Sequence, residues 1–181
     1  VRYVGNRSSG KMGFAIAEAA RDRGARVTLV TGPVALETPP GIERRDVSTV
    51  AQMLAVLQEV TATGDALVMS AAPADFRPEN PASQKMKKTP GQESMRIDLA
   101  KNPDILASLP AGGVRVGFAA ETENLAENAV AKLASKRLAF IVANDVTAAG
   151  SGFGTETNQV TIFHDDGRVD ALPLMSKYAV A

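Results

Sequence analysis

The sequence predicts an α/β fold in which a mostly parallel sheet carries helices on its faces and a β-hairpin follows at the C-terminus. Short apolar runs of strand length alternate with amphipathic helical stretches along most of the chain, which is the pattern of such sheets. Near the end, runs at 159–163 and 169–172 are joined by Asp165-Asp166-Gly167, and Asp-Gly suits a hairpin turn. A chain of 181 residues is long enough for a real core, so we expect one domain over residues 1–181.

The composition excludes several classes of function. The 20 basic and 20 acidic side chains give a net charge of zero, which does not favour nucleic acid or a membrane as partner, and 4% aromatic residues are too few for a base-stacking surface. The chain has no cysteine, which suits a cytoplasmic protein, and no apolar run of membrane-spanning length. Because it lacks an initial Met and stops in what resembles a starting helix at 176–181, we expect a fragment cut at both ends.

The first notable stretch, residues 5–13, concentrates glycines, hydroxyls, an amide and two cations just ahead of a helix predicted over 12–23. Free backbone N–H groups and the positive end of the dipole lie at a helix N-terminus, so this turn suits a phosphate. Its chemistry makes Ser8, Ser9 and Gly10 candidate phosphate donors. The alternative is a glycine-rich structural turn.

Two known phosphate motifs match this turn only in part. The spacing from Gly5 to Lys11 is that of a Walker A loop, but Met12 stands where that loop needs a hydroxyl for magnesium. The dinucleotide fingerprint has Ser8 in place of its first glycine, and no acid follows the strand at 27–30 to bind a ribose. An NAD(P)-linked reductase is therefore the weaker reading.

The next elements are a proline-rich loop at 38–41, a short strand at 42–47 and a helix. Ser48 is the expected N-cap of this helix, which ends near Gly64. Its predicted core face comprises Val50, Met53, Leu54, Leu57 and Val60.

A buried strand at 65–70 runs into a turn of small residues that contains Asp75. Ligands of open α/β sheets gather beyond the carboxyl ends of strands, so this turn is a candidate ligand wall, or else a tight turn with a solvated acid. The loop at 84–91 follows, ahead of a strand at 95–99. Its three lysines form either a solvated cluster or a cationic flap.

The last third continues the alternation. Asn102 is the expected N-cap of a helix with Pro103 in its first position, and strands at 114–118 and 138–143 flank a helix at 123–136. Glu121-Thr122 follows the first of these strands, at the edge where a ligand is expected. In the hairpin, Val160, Ile162, Val169 and Leu172 are expected to share a buried face, and the only histidine, His164, is expected at the surface.

A phosphate turn, a lysine loop and a nearby amide suit nucleotidyl transfer, in which positioning and charge neutralisation do most of the catalysis. They do not select a substrate, and a noncatalytic nucleotide-binding or regulatory module remains the alternative from another class.

Six motifs in order then resemble one family: residues 3–13 (Tyr-Val-Gly-Asn-Arg-Ser-Ser-Gly-Lys-Met-Gly), 71–78 (Ala-Ala-Pro-Ala-Asp-Phe-Arg-Pro), 85–88 (Lys-Met-Lys-Lys), 101–105 (Lys-Asn-Pro-Asp-Ile), 116–122 (Val-Gly-Phe-Ala-Ala-Glu-Thr) and 142–146 (Val-Ala-Asn-Asp-Val). The family is bacterial phosphopantothenoylcysteine synthetase, the synthetase half of the bifunctional coenzyme A biosynthesis protein.

The resemblance implies a Rossmann-like fold and a ligase that joins phosphopantothenate to L-cysteine, with CTP as co-substrate and Mg²⁺ or Mn²⁺ as the metal. Phosphopantothenate would first form an acyl-cytidylate, and the cysteine amine would then displace CMP. The resemblance further implies a homodimer and, in the full-length protein, a flavin-binding decarboxylase domain outside this chain, so that no FMN is expected here. It identifies no metal ligands.

The same resemblance implies that Asn6 and Lys85 are the catalytic residues. Asn6 would engage the acyl-cytidylate, and Lys85 would support its formation. Lys85 is also an implied CTP-binding residue. The other residues that the resemblance implies for the CTP site are Met69, Ser70, Ala71, Asp75, Asn102, Pro103, Asp104, Ile105, Phe118, Lys132 and Lys136. Ser8, Ser9 and Gly10 join them from the chemistry of the turn.

The chain departs from the family pattern in two places. The family's first strand and its Gly-Gly-Thr loop would precede Val1, and Pro73 stands where a Val is expected in the nucleotide wall. The proline pushes Ala72 toward extended geometry.

Overall fold

The computed structural model describes residues 5, 6, 8–87, 90, 91, 93–121, 125–145, 150–152 and 154–181. Its elements in chain order are α1 (Lys11–Asp22), β1 (Thr28–Thr31), β2 (Glu43–Asp46), α2 (Val50–Thr61), β3 (Ala66–Met69), β4 (Phe76–Pro78), β5 (Leu99–Lys101), α3 (Ile105–Ser108), β6 (Val114–Glu121), α4 (Leu125–Lys136), β7 (Phe140–Asp145), β8 (Thr157–Asn158), β9 (Val160–His164), β10 (Val169–Ala171), β11 (Met175–Ser176) and α5 (Lys177–Val180).

The main sheet has five strands in the order β10-β9-β7-β6-β3. The strands β3, β6 and β7 are parallel, with Val116 beside Phe140, whereas β9 and β10 add to them antiparallel. Strands β9 and β10 form the predicted hairpin, whose turn contains Gly167 at a φ of 87°. The predicted α/β fold with a parallel sheet, flanking helices and a C-terminal hairpin is thus confirmed.

A second parallel pair, β1 and β2, is not hydrogen-bonded to the main sheet within the described residues. Both β1 and β3 line one cavity of about 2490 Å³. This volume is larger than the roughly 300–1,000 Å³ of ordinary ligand sites. The lining includes apolar strand segments of both sheets, Leu29-Val30 and Leu67-Val68.

Side chains from alternate positions of the strands bury two clusters on opposite faces of the main sheet. The larger cluster packs Ile141 and Phe163 against Leu57 of α2 and Ala129 of α4. The smaller one contains Val116, Val142 and Val160. The two clusters hold the carboxyl ends of β3, β6 and β7 at one edge, where the site forms.

Several details differ from the sequence-based expectations. Thr49, not Ser48, caps α2, and residues 95–98 lie outside β5. Val169 pairs with Phe163, and this register puts it on the opposite face from Ile162, so it does not share the predicted face. It is 54% exposed on β10, the last strand of the sheet order. His164 is not a free surface residue.

The His164 side chain is only 15% exposed, and its Nε2 lies 2.9 Å from Oδ2 of Asp170. The contact joins β9 to β10, and the imidazole also packs beside the ring of Phe140, with 5.5 Å between ring centroids.

Some predicted features lie outside the described residues. These are Arg7 of the first turn, Lys88 of the lysine loop, Thr122 after β6, the predicted helix start at Glu123 and Val146 of the last motif.

Candidate functional site

The first turn of α1 has the geometry of an anion site. Gly10 precedes the helix in the left-handed conformation, with a φ of 77°, and its carbonyl accepts the N–H of Phe14 at 3.0 Å. The N–H groups of Lys11, Met12 and Gly13 therefore have no acceptor within the helix. A Cβ at position 10 would lie 3.0 Å from Cγ1 of Val34, so both the positive φ and this close contact favour glycine here.

Asn6 joins this turn to the end of β3. Its Nδ2 donates to the backbone oxygen of Pro73 at 2.9 Å, so the amide is held across the two stretches that the sequence singled out separately. Close by, a Cβ on Gly13 would lie 3.0 Å from Oγ of Ser70. The helix turn and the strand end thus approach as closely as a glycine allows.

The segment after β3, residues 70–75, forms one wall of the cavity, and Asn102 binds to the end of this wall. Its Nδ2 donates to the oxygen of Ala74 and its backbone N–H to the oxygen of Asp75, both at 2.8 Å. The expectation that Asn102 caps a helix is wrong, because its side chain is used in this contact. The N-cap of α3 is Asp104, whose carboxylate accepts the N–H of Ala107 at 3.2 Å.

Asp104 also binds Lys136 of α4, with 3.3 Å between Oδ2 and Nζ. Burial alone would raise the pKa of Asp104, but the N–H of Ala107 and the charge of Lys136 outweigh it and hold the pKa below its ordinary value. Two residues of the expected CTP site are therefore already paired with each other.

The cavity collects most, but not all, of the expected site. The expected residues absent from its lining are Lys85, which is exposed, Ile105, which is 3% exposed in the core, and the pair Asp104 and Lys136. Those that line it are Asn6, Ser8, Ser9, Gly10, Met69, Ser70, Ala71, Asp75, Asn102, Pro103, Phe118 and Lys132.

Sequence reasoning missed a buried polar network that also borders this cavity. Lys177 is only 6% exposed, and its Nζ donates to Asn158 Oδ1 at 2.6 Å. Nearby, Ser151 donates to Asn144 Oδ1 at 2.7 Å at the end of β7. No local pattern distinguishes Lys177 from a lysine of an exposed helix end, so only tertiary packing reveals it.

The described residues contain no group of three or more acidic, histidine or cysteine side chains that could hold a metal by themselves. None of the described helices is both long and apolar enough to span a membrane.

In the register of the main sheet, Glu121 of β6 lies beside Asp145 of β7 at the carboxyl edge.

The sheet is parallel in β3, β6 and β7, a helix N-terminus preceded by Gly10 lies at its carboxyl edge, and an amide is held beside that turn. These features define an α/β domain with a site suited to an anionic ligand. The family follows from comparison with known proteins. The chain belongs to the DNA/pantothenate metabolism flavoprotein C-terminal domain family, whose model matches residues 1–181.

Among its relatives, the coenzyme A biosynthesis bifunctional protein CoaBC of Vibrio parahaemolyticus is 49% identical over 185 residues, which cover 100% of this chain and 46% of that protein. The chain thus spans about half the length of the curated relatives it matches. The predicted family resemblance is confirmed.

Two solved structures have the same fold. The C-terminal domain of a CoaBC protein superposes with a TM-score of 0.82 at 37% identity, over 99% of this chain and 81% of the other. A Cab2 mutant in complex with phosphopantothenate-cysteine gives 0.77 at 16% identity, over 99% and 78%, and this likeness concerns the fold alone.

Proposed function

We propose that the chain is the single synthetase domain of a ligase that joins phosphopantothenate to L-cysteine at the expense of CTP. The observation that carries the proposal is the bond from Asn6 to Pro73, which places a fixed amide between the anion-binding turn and the wall beyond β3. The names of the CoaBC relatives support a role in coenzyme A biosynthesis, and the Cab2 structure is an example of this fold with phosphopantothenate-cysteine bound.

The proposed reaction has two steps. The carboxylate of phosphopantothenate attacks the α-phosphorus of CTP, and pyrophosphate leaves with the electron pair of the broken bond. The amine of cysteine then attacks the acyl carbon, CMP leaves, and the amine proton is lost to solvent or a base. Both steps transfer negative charge onto oxygen, which fixed N–H donors stabilise.

Within this proposal, the first-turn N–H groups of α1 and the hydroxyls of Ser8 and Ser9 bind phosphate oxygens. The Nδ2 of Asn6 has two protons, and one of them is used by Pro73. The second is available to an acyl oxygen as negative charge develops there.

Lys85 requires a movement to take part. Its side chain is exposed and does not line the cavity, whereas the proposed role requires the ammonium to reach the phosphates. We therefore assign it to a segment that closes over bound nucleotide, as mobile segments do in many enzymes.

A divalent cation fits this site only with help from the substrate. Mg²⁺ commonly keeps several waters and takes substrate phosphates with one or two carboxylates, so it needs no cage made entirely of protein. Four described carboxylates line the cavity, those of Glu43, Glu59, Asp65 and Asp75, and Asp75 is our candidate because it belongs to the expected nucleotide site. The metal would offset charge on the triphosphate.

The proposal includes a cytoplasmic homodimer joined, in a longer polypeptide, to a flavin decarboxylase domain. Apolar side chains exposed around the β4–β5 ribbon support the dimer: Phe76 is 48% exposed, Ile97 52% and Leu99 45%. Exposed apolar side chains that lie next to one another, unlike single ones, mark interaction surfaces.

The test is pyrophosphate release by the longer polypeptide from CTP and phosphopantothenate, before and after cysteine is added. We expect release that needs phosphopantothenate, and product only with cysteine. Failure of release with purified, folded protein would support the noncatalytic module, and nicotinamide-dependent turnover would support the reductase.

Two variants test the catalytic pair. Lys85→Ala should slow pyrophosphate release about 100-fold, whereas Lys87→Ala, an exposed neighbour in the same segment, should change it about twofold or less. Asn6→Ala should release pyrophosphate but accumulate acyl-cytidylate. Normal release by Lys85→Ala, or normal product formation by Asn6→Ala, would refute the respective role.

A further inference from the structure

The starting observation is the buried ammonium of Lys177. The residue is 6% exposed, and its Nζ donates to three oxygens: Gly152 O and Thr157 O at 3.2 Å each and Asn158 Oδ1 at 2.6 Å. An ammonium has three protons, so every donor has its acceptor. Burial lowers the pKa of Lys177, and the carboxylate of Glu156 opposes this effect.

All three acceptors belong to one segment, residues 150–158. Three of its glycines, Gly150, Gly152 and Gly154, have φ values of 79°, 113° and 85°, which other residues rarely adopt. Hydrogen bonds within the segment, from Thr155 Oγ1 to Gly152 O and Thr157 O and from Thr157 Oγ1 to Gly150 O, hold part of this backbone. The ammonium adds three bonds from outside the segment, and it ties residue 152 to residues 157 and 158.

The same segment touches the first turn of α1. Asn158 donates through Nδ2 to Sδ of Met12 at 3.4 Å, and Nζ of Lys11 donates to Gly154 O at 2.8 Å and contacts the carboxylate of Glu156. Ser151 extends the contacts to Asn144 at the end of β7. The segment is therefore a brace between Lys177 and the proposed phosphate turn.

Stability alone is a poor explanation for such a group. Burying a charge has a desolvation cost that hydrogen bonds only partly return, and apolar replacements of buried charges are often neutral or stabilising. What three directed hydrogen bonds supply is geometry.

We propose that Lys177 is a positioning residue that, through residues 150–158, sets the first turn of α1 in the geometry that binds a phosphate group. The inference rests on the proposed function for the identity of the ligand, but its structural part stands by itself.

The test compares Lys177→Met with two controls in the longer polypeptide. Tyr178→Phe lies on the same short helix and removes a hydrogen bond to Asp22, near the other end of α1. Phe163→Leu weakens the core at a residue that does not line the cavity. Lys177→Met should lower kcat/KM for CTP by about tenfold to 100-fold and weaken pyrophosphate binding, and both controls should stay within about twofold.

Hydrogen exchange separates this inference from the proposed function. In Lys177→Met, amides of residues 8–14 and 150–159 should exchange at least about tenfold faster, while those of β6 and β7 keep their rates. Unchanged exchange in both segments would overturn the inference whatever the enzyme does. If the unaltered protein catalyses no ligation, the proposed function fails, and the exchange result still decides the role of Lys177.

A second variant protects the test against general unfolding. If Lys177 acts through the brace, Asn158→Ala should reproduce the loss of pyrophosphate affinity, and the double variant should lose little more than either single one. Additive losses, or equal losses in Phe163→Leu matched for melting temperature, would refute the inference.

Discussion

One glycine sets how closely the first turn of α1 approaches the end of β3. A Cβ on Gly13 would lie 3.0 Å from Oγ of Ser70 and has no other heavy-atom neighbour within 4 Å. Because Ser70 can move, an added methyl group would displace that hydroxyl rather than the backbone. The cost would therefore fall on the site more than on stability.

We predict that Gly13→Ala leaves the free energy of unfolding within about 1 kcal/mol, since alanine favours helix by a similar amount. It should raise KM for CTP several-fold by moving Ser70. The measurement is steady-state kinetics together with urea unfolding. In Gly13→Ala/Ser70→Ala the added methyl should fit without a stability penalty, and a double variant less stable than Gly13→Ala would contradict the contact.

The carboxylate of Asp104 combines a helix cap with an ion pair to Lys136. Asn caps helices about as well as Asp, so Asp104→Asn removes mainly the charge. Because both side chains are partly exposed, we expect a loss of only about 0.5 kcal/mol at pH 7.

The pH dependence of that loss has a definite sign. The pKa of Asp104 is lowered on folding, so its contribution is complete above the ordinary value of 3.8 and disappears as the pH falls through the lower folded value. The difference in unfolding free energy between Asp104→Asn and the parent should stay constant above about pH 5 and shrink below 3.8. Urea titrations across this range measure it, and a difference that grows in acid would contradict the pair.

For single residues, the sequence shows which side chains are suited to a site, but it does not show which distant groups they bind. The motif around Asn102 resembled a helix start, and a helix does follow, but Asn102 bonds to Ala74, 28 positions earlier. Local spacing cannot distinguish a cap at Asn102 from a cap at Asp104 when the distant carbonyl is unknown.

The helix α2 shows how a cap is shared within one element. Thr49 accepts the N–H of Gln52 at 3.1 Å, and the Gln52 side chain accepts the N–H of Thr49 at 3.2 Å and that of Ser48 at 2.8 Å. This reciprocal arrangement is a capping box. Ser48 contributes its backbone, not its hydroxyl.

Thr49→Ala should therefore lower the free energy of unfolding by about 1 kcal/mol, whereas Ser48→Ala should stay within about 0.5 kcal/mol. Chemical denaturation of the two variants gives the comparison. The reverse order of stabilities would restore Ser48 as the cap.

The β4–β5 ribbon is the element that supports self-association. Phe76 pairs with Lys101 and Pro78 with Leu99, so Phe76 and Leu99 share one face of the ribbon. Phe76→Ser/Leu99→Ser should convert the proposed dimer to monomer in light scattering at micromolar concentration, since apolar contacts dominate such interfaces.

Val169→Ser is the matched control, because Val169 is equally apolar and 54% exposed but lies on β10. A monomeric parent protein, or a double variant that stays dimeric, would refute this interface.

For the molecule as a whole, alternation of strands and helices was enough to predict the fold class, because hydrophobic period and turn residues are local properties. The predicted parallel sheet and hairpin are present. The antiparallel pairing of β7 with β9 joins the hairpin to the sheet, and its register is a long-range property that local pattern does not give. The β1–β2 pair is not hydrogen-bonded to the main sheet within the described residues, and local sequence pattern does not predict which strands pair.

The candidate site divides in the same way. Glycines, hydroxyls and the amide of the first turn were recognisable because their chemistry is local, and the structure joins that turn to the wall beyond β3 through Asn6. The buried Lys177 was not recognisable, since its partners precede it by 19 to 25 positions.

The hydrogen bond from Asn6 to Pro73 also shows which substitutions the wall after β3 can accept. The acceptor at position 73 is a main-chain carbonyl, which every amino acid provides, so the proline ring is not what holds the amide. Pro73→Val should keep ligation within about twofold of the parent rate, because Ala72 gains conformational freedom while the acceptor remains. Substrate preference at this wall could then be redesigned by mutation without disturbing the reacting centre.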